Sequence, residues 1–506
     1  MSRKGLKPGE TPPAPTSASG DPAQLKDAAH QKTVERLLNS RDFAETMLRL
    51  IDRDPLTALH ISSEHGLVVY ANDQAARMFL GQGVRAVDAM GLTWGELFPA
   101  PLADERLAIV REIVQDREPR YVRSIYYGHQ VIARYDCIGP LPGVANGDNL
   151  FLCVTRHEPR TIPSGSLDHV RVVEPRTNYL GPLAKLTPRE LELLALVAEG
   201  RTITEIAEAL NKSIHTVNEQ RRSLGRKLGA QDRVALAELA RDAGLKRADA
   251  RLANLEHLAQ PLPATSGPPT SPERLREVAF SEPRFVHTLW RALNNDPFTA
   301  FQVLLPDSTI LHANMNVVRM FVPELGDVHA LLGKKYSDVA PMELVRDRMD
   351  FIRSVAGLRK PRMMRSIYQS IQTITRMEYC APVDGVSAGN GLVVVAARHT
   401  PADVVARLPA HVRRLITTPN AHRLGVLAEL SPREREVLAL TGEGLSNRQI
   451  AQSLHRTEDT VEDHRQSIGK KLRISDRVKL AELARQSGLT VDDADMRSVD
   501  SLHRRH

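Results

Sequence analysis

Between Ser213 and Leu228 the chain sets Arg221, Arg222, Arg226 and Lys227 against one acid, Glu219, for a net charge of +3. Such side chains make and break no bonds. They neutralise phosphate and donate to base edges, which is binding chemistry. The matching stretch 244 positions later, Thr457 to Leu472, holds Arg465, Lys470 and Lys471 against Glu458, Asp459, Glu462 and Asp463, a net −1. A carboxylate can accept from cytosine N4, but four of them near phosphates oppose binding. The first stretch is therefore the better reader. The second is left with weak binding, a different sequence, or a role as a partner.

Bond-making chemistry finds no comparable support. Phosphate-gripping glycine loops, kinase signatures, metal clusters and nucleophile elbows are missing from the sequence, so no enzyme is expected. Cys137, Cys153 and Cys380 show neither CxxC nor metal-ligand spacing, as in a reducing cytoplasm. The N-terminus has basic residues with no apolar core behind them, and no stretch approaches the roughly 18 apolar residues of a membrane span. A soluble, cytoplasmic protein without a membrane partner is expected. The net charge of +7 is compatible with a nucleic-acid partner but does not prove one.

The elements that position these residues occur twice. "LTPRELELLALVAEG" from Leu186 returns as "LSPREREVLALTGEG" from Leu430. DPLTAL at Asp54 returns as DPFTAF at Asp296, YANDQAARMF at Tyr70 as HANMNVVRMF at His312, RSIY at Arg123 and again at Arg365, and RHEP at Arg156 as RHTP at Arg398. A chain of 506 residues is long enough for several domains. The repeat divides it into a larger and a smaller module, each present twice. Composition reads residues 1–24 and 490–506 as disordered tails and the Pro/Ser/Gly-rich 259–273 as a linker. Extended, that linker spans about 46 Å.

The small module announces its helices. Thr187-Pro188-Arg189-Glu190 and Ser431-Pro432-Arg433-Glu434 are capping boxes with proline at the first helical position, and Gly200 ends the helix. A second pair of boxes starts at Thr202 and Ser446. A third helix follows, with Val217, Leu224 and Leu228 on its buried side, and Ala207 and Ala451 permit a tight helix-turn-helix. The L[TS]PRE opening, the helix-ending glycine, IA..L, TV...R and KL together resemble the LuxR/FixJ-type DNA-binding domain of bacterial regulators, over residues 186–245 and 430–489. The resemblance implies that the third helix enters the major groove of double-stranded DNA. It places Asn218, Glu219 and Arg222 toward base edges in copy one, and Glu462, Asp463 and Gln466 in copy two. It makes Thr216, Arg221, Arg226, Lys227, Thr460, Arg465, Lys470 and Lys471 phosphate candidates. A fourth helix, from near Asp232 or Asp476, is the family's usual dimer contact.

The large modules, 42–160 and 284–402, read as a hairpin, short helices, a charged helix (Ala103–Gln115; Met342–Val355) and three late strands. This order, with Gly66, Asn72, Ala75 and Pro99, is similar to PAS domains. In copy two Thr309 is read at the turn-glycine position and Val317 replaces the alanine. The fold class expected is α+β multidomain: two PAS-like α/β sensor domains alternating with two all-α four-helix helix-turn-helix domains. No motif names a cofactor or metal, and any small-molecule ligand stays unknown. His157 and His399 read as solvent-facing or capping rather than haem ligands, and Asn72 and Asn314 as helix caps. Arg123 and Arg365 suit either an anionic ligand or surface ion pairs. The function expected is a sequence-specific transcriptional regulator whose two helix-turn-helix modules act as a pseudo-dimer on an asymmetric operator, with self-association through PAS-like surfaces or the fourth helices. The alternative is a protein-interaction scaffold with little specific DNA binding.

Overall fold

A computed structural model describes residues 22–499 except 82, 159–169, 231, 232, 248, 250–252, 256–258, 260, 264–269 and 388. In the first half, α1 (Pro22–Leu38) and α2 (Arg41–Asp52) precede the hairpin of β1 (Ala58–Ser63) and β2 (Val68–Ala71). Short helices α3 (Asp73–Phe79), α4 (Ala86–Ala89) and α5 (Trp94–Leu97) lead into α6 (Ala100–Asp116), then β3 (Arg120–Tyr126), β4 (His129–Gly139) and β5 (Leu150–His157). These five strands form an antiparallel sheet ordered β2-β1-β5-β4-β3, and β6 (Val172–Val173) adds to its edge in parallel. The pair β7 (Thr177–Asn178) and β8 (Ala253–Asn254) brackets four helices, α7 (Pro188–Ala198), α8 (Ile203–Ala209), α9 (Ile214–Leu228) and α10 (Arg233–Asp242).

The second half repeats the plan. It runs α11 (Pro272–Ser281), α12 (Pro283–Asn294), β9 (Ala300–Leu304), β10 (Ile310–Ala313), α13 (Met315–Phe321), α14 (Met342–Leu358), β11 (Arg362–Tyr368), β12 (Ile371–Cys380) and β13 (Leu392–His399). After α15 (Ala402–Ala406), α16 (Ala410–Arg413), β14 (Ile416–Thr417) and β15 (Ala421–His422) come α17 (Pro432–Gly442), α18 (Asn447–Leu454), α19 (Glu458–Leu472) and α20 (Arg477–Ser487). The last element is β16 (Arg497–Ser498), parallel to β15. The architecture is α+β, with two six-stranded sheet modules alternating with two four-helix modules.

The two sheet modules share one core. Phe43, Met47 and Ile51 of α2 pack with Leu59 and Leu152 of their own sheet, with Leu289 and Trp290 of α12, and with Phe301 and Val394 of the other sheet. Two repeated motifs exchange partners across this core. Arg156 of RHEP pairs with Asp296 of DPFTAF, and Arg398 of RHTP pairs with Asp54 of DPLTAL. Each Asp also accepts from a threonine of its own motif, Thr57 to Asp54 at 2.7 Å and Thr299 to Asp296. Burial raises both carboxyls, but the facing arginines outweigh it and hold them below the usual carboxylate range. The duplication thus contains its own pseudo-twofold interface.

RSIY works through strand alternation. Ser124 and Tyr126 turn inward and accept from Arg106 Nη2 at 2.8 and 3.1 Å, whereas Ile125 points outward into the core of the first helical module. Ile367 likewise enters the core of the second. The arginines of the motif are clamps. Arg123 binds Glu158 (2.5 Å) and Glu174 (2.7 Å), and Arg365 binds Asp493 (2.5 Å) and Gly488 O (2.5 Å). Neither is free for a ligand. Gly488 has φ +62°, and a Cβ there would meet Gln372 Oε1 at 2.0 Å. That oxygen accepts from Arg365 Nε while Gln372 Nε2 donates to Thr400 O, so the glutamine cannot move aside without breaking both bonds. Gly488→Val is expected to cost about 2–4 kcal/mol, read as a lower urea midpoint, since it combines backbone strain with overpacking.

Several sequence expectations need correction. The tail expected at 490–506 is ordered through 499: Thr490 and Asp493 close a turn, and Val499 packs on Leu344 and Ala421. Residues 22–24 belong to α1, and Pro272 and Glu273 open α11 rather than ending a linker. Much of that linker, the first 21 residues, 500–506 and Asp232 lie outside the described residues. The sheet modules also begin earlier than 42 and 284, with α1 and α11. The left-handed residue of the second hairpin is Ser308 (φ 70°), one before Thr309, because a β-branched side chain disfavours that conformation. Asn72 does cap α3, accepting from Ala75 N at 2.9 Å. Asn314 holds the N-cap position of α13, but its side chain makes no capping bond: it accepts from Phe301 N and donates to Asn294 O and Thr299 O. His157 is half-buried, edge-on to His129 at 5.8 Å, and burial followed by the Arg407 charge lowers it to about 3. Burial lowers the half-buried His399 to about 4.

Candidate nucleic-acid interface

The helical modules are built as the capping signals predict. Thr187 and Ser431 accept from the amides of Glu190 and Glu434, and Thr202 and Ser446 open α8 and α18 in the same way. Ser213 caps α9 and Thr457 caps α19. Val217 and Leu224, with Val461 and Ile468, seat the third helices, and the nearly buried Ala207 and Ala451 let the second helices approach. The opposite faces of α9 and α19 are left to solvent.

On α9, Thr216, Glu219, Arg222, Arg226 and Lys227 are exposed, while Asn218 and Arg221 are partly so. Thr216 Oγ1 lies 2.8 Å from Ser213 Oγ, and Arg222, at 69% exposure, pairs only with Glu219 of its own helix among the bonds described, at 2.6 Å. Arg221, Arg222 and Arg226 line a cleft with Arg233 of α10 and Arg477 of α20. The last two escaped sequence reading because they sit on the fourth helices, and only the repeated Asp-Arg-Val at 232 and 476 marks them. Arg233 also pairs with Asp476 at 3.3 Å.

On α19, Asp463, Gln466, Lys470 and Lys471 are exposed and Thr460 partly so. Glu462 is drawn inward: it accepts from Asn447 Nδ2 at 2.8 Å and pairs with Arg465 at 3.2 Å, and Arg465 also donates to Asn447 Oδ1. Burial lowers Arg465 from its usual value. This local knot holds α18 to α19 and occupies two of the seven site residues expected there.

Two phosphate candidates double as staples. Lys227 reaches Glu190 at 2.7 Å, and Lys471 reaches Glu434 at 2.6 Å. Burial raises the Glu434 carboxyl, but bonds from Lys471, Ser467 and Ser431 outweigh it and hold it at about 2. Because the folded value lies below the unfolded one near 4.5, this stabilisation is complete above pH 4.5 and is lost as the pH falls toward 2. Lys471→Met is expected to cost about 1–2 kcal/mol and to move acid unfolding to higher pH, followed by circular dichroism without DNA. Lys227→Met should cost less, since Glu190 is more exposed than Glu434 (15% against 5%).

The fourth helices pack on each other inside the chain. Arg241 pairs with Glu482 at 2.7 Å and Arg485 with Glu238 at 2.9 Å, a reciprocal exchange, and Val478 and Ala481 of α20 join the core of the first helical module. Segments 184–240 and 428–484 each match the family model of bacterial regulatory proteins, luxR family. Both helical modules belong to the LuxR family. The LuxR match is local. The transcriptional regulatory proteins RcsB of Escherichia coli K12 and LnrK of Bacillus subtilis 168 are each 43% identical over 65 residues, 13% of this chain and 30% of theirs. The chain thus spans about 30% of the length of these curated relatives. A solved Vibrio cholerae VqmA–ligand–DNA complex is similar over 37% of this chain and 83% of its own, at 22% identity and TM-score 0.22. Among the described residues no helix is long and apolar enough to cross a membrane.

Proposed function

We propose that the chain is a sequence-specific DNA-binding transcriptional regulator in which two LuxR modules form one intramolecular pseudo-dimer. The observation carrying this reading is the α10–α20 pairing. It ties the two modules by reciprocal ion pairs while leaving the polar faces of α9 and α19 outward. Helix-turn-helix domains read DNA in pairs about one helical turn apart. Here both members come from one polypeptide, which replaces an encounter between chains by a high effective concentration. Since α9 offers Asn218, Glu219 and Arg222 where α19 offers Glu462, Asp463 and Gln466, the operator is asymmetric.

The sheet modules act as PAS-like sensory and pairing units. Their strand order β2-β1-β5-β4-β3 and the short helices before α6 support that reading. Their pairing faces, like the fourth helices, are already engaged within the chain, which favours a monomer over self-association.

A second reading is favoured by the acids of α19 and by the Glu462–Arg465–Asn447 knot: copy two supplies a partner helix rather than a reader. Selection from a randomised duplex pool, at low salt and at about 0.15 M, separates the two. Two unlike half-sites are expected. A single half-site transfers α19 to the partner role, and no enrichment at either salt rejects DNA reading in favour of an interaction scaffold.

A further inference from the structure

The two sheet modules differ where a ligand would sit. In the second, a cavity of about 80 Å³ lies between the sheet and α13–α14. Val317, Leu344, Met377 and Val395 line it, with Arg348 as the buried charge. The corresponding space in the first module is about 40 Å³ and does not reach Arg106, the counterpart of Arg348. The sequence explains why. His60, Trp94 and Tyr135 meet edge-on there at 6.0–6.4 Å, where the second module has Gln302, Tyr336 and Met377.

The two buried arginines also differ in their counter-ions. Arg106 Nη1 lies 3.6 Å from the Glu105 carboxylate. At the position of Glu105 the second module has Asp347, one methylene shorter. Each carboxylate accepts from two amides, Glu105 from Arg176 and Thr177 at 2.6 and 3.0 Å and Asp347 from Asn420 and Ala421 at 2.7 and 2.9 Å, but among the described residues only Glu105 also reaches its arginine. Arg348, 6% exposed, donates through Nη2 to Ser366 Oγ (3.1 Å) and Tyr368 Oη (3.2 Å), and stands 5.6 Å from the Tyr368 ring. Its Nη1, like that of Arg106, has no hydrogen-bond partner, but among the described residues no carboxylate pairs with Arg348. A buried guanidinium without a counter-ion is costly, and an anion within reach removes that cost.

The geometry points to a binding site in the second sheet module, between Arg348 and the apolar wall around Val317 and Met377, for a small monocarboxylate with a hydrocarbon body. Among the described residues the first module offers no such site. By volume the cavity accepts a handful of heavy atoms. Its wall includes Arg423, which donates to Phe321 O at 3.1 Å and is followed directly by Leu424, a core residue of the second LuxR module. The occupant is thus one residue removed from the core of the second LuxR module. This deepens the sensory reading of the sheet modules and rests on it, but not on DNA binding.

Calorimetry on the full chain with pentanoate, hexanoate, benzoate and phenylacetate, each against its neutral amide, tests the site. At least one acid should bind about tenfold or more tightly than its amide, a charge-assisted bond being the difference. Arg348→Met should abolish that preference and Arg106→Met should leave it intact. Because Arg348→Met removes two internal hydrogen bonds, Gln302→His/Met377→Tyr serves as the second variant. It imports two of the three filling side chains of the first module, gives up only the bond from Tyr336 Oη to Gln302 (2.8 Å), and should abolish binding with cooperative thermal unfolding retained. Binding of none of the acids, equal binding of acid and amide, or retained binding in the filled variant overturns the site. The duplex selection above is run without ligand, so an enriched operator alongside failed calorimetry removes the site and leaves the regulator standing.

Discussion

Replacing Asp54 by alanine is expected to destabilise the chain by about 3–5 kcal/mol, because it leaves the Arg398 guanidinium buried without its counter-ion. The loss falls on the contact between the two halves rather than on one sheet, since the pair spans them. Asp296→Ala should do the same through Arg156. The double variant Asp54→Ala/Arg398→Met should recover much of the loss, as removing both charges costs far less than stranding one. Urea denaturation measures all three, and a loss below about 1 kcal/mol for either single variant would show that the cross-pairing does not hold the halves. The same carboxyls set an acid limit. Their folded values lie below the ordinary 3.8, so their stabilisation is complete above about pH 4 and is lost below it. Scattering should show the halves separating in that acid range.

Arg222→Ala is expected to lower affinity for the selected operator by about 10- to 100-fold and to relax the base preference at one position. Its side chain projects from α9 with, among the described residues, only Glu219 to hold it, so removal strands no buried partner. Gln466→Ala, the equivalent change on α19, should cost under about threefold, because acids crowd the start of that helix and weaken its docking. Arg226→Ala, from the basic cleft, should weaken binding to all sequences alike and reduce the salt slope by about one. Filter binding at several salt concentrations distinguishes these patterns. Equal losses for Arg222→Ala and Gln466→Ala would give both copies the same reading role and remove the asymmetry argued from charge.

The repeat, the helical modules and their register were legible in the residues. Capping boxes, helix-ending glycines and the apolar positions Val217, Leu224, Val461 and Ile468 are local signals, and local hydrogen bonding decides where such helices begin. The hairpins and late strands were legible for the same reason, through alternation and turn residues. Helices α1 and α11 were not, because their apolar faces acquire meaning only against the other half. Nor was the ordering of 490–499, whose composition is polar and whose order comes from Arg365, Arg435 and the pairing of β16 with β15.

The sequence by itself determined that one unit occurs twice, that its small module carries a polar helix suited to DNA, and that the two copies differ in charge. Those properties follow from residue type and near-neighbour spacing. Only the tertiary structure decided what the repeated motifs do. DP[LF]TA and RH[ET]P recur because each half supplies the acid to the other half's arginine. RSIY recurs because alternate residues of one strand serve two modules at once. It also decided that Lys227 and Lys471 are staples as well as phosphate candidates, and that Arg348 is buried without the carboxylate Arg106 keeps nearby. Contacts between residues hundreds of positions apart depend on how the elements pack, and packing is a property of the whole fold.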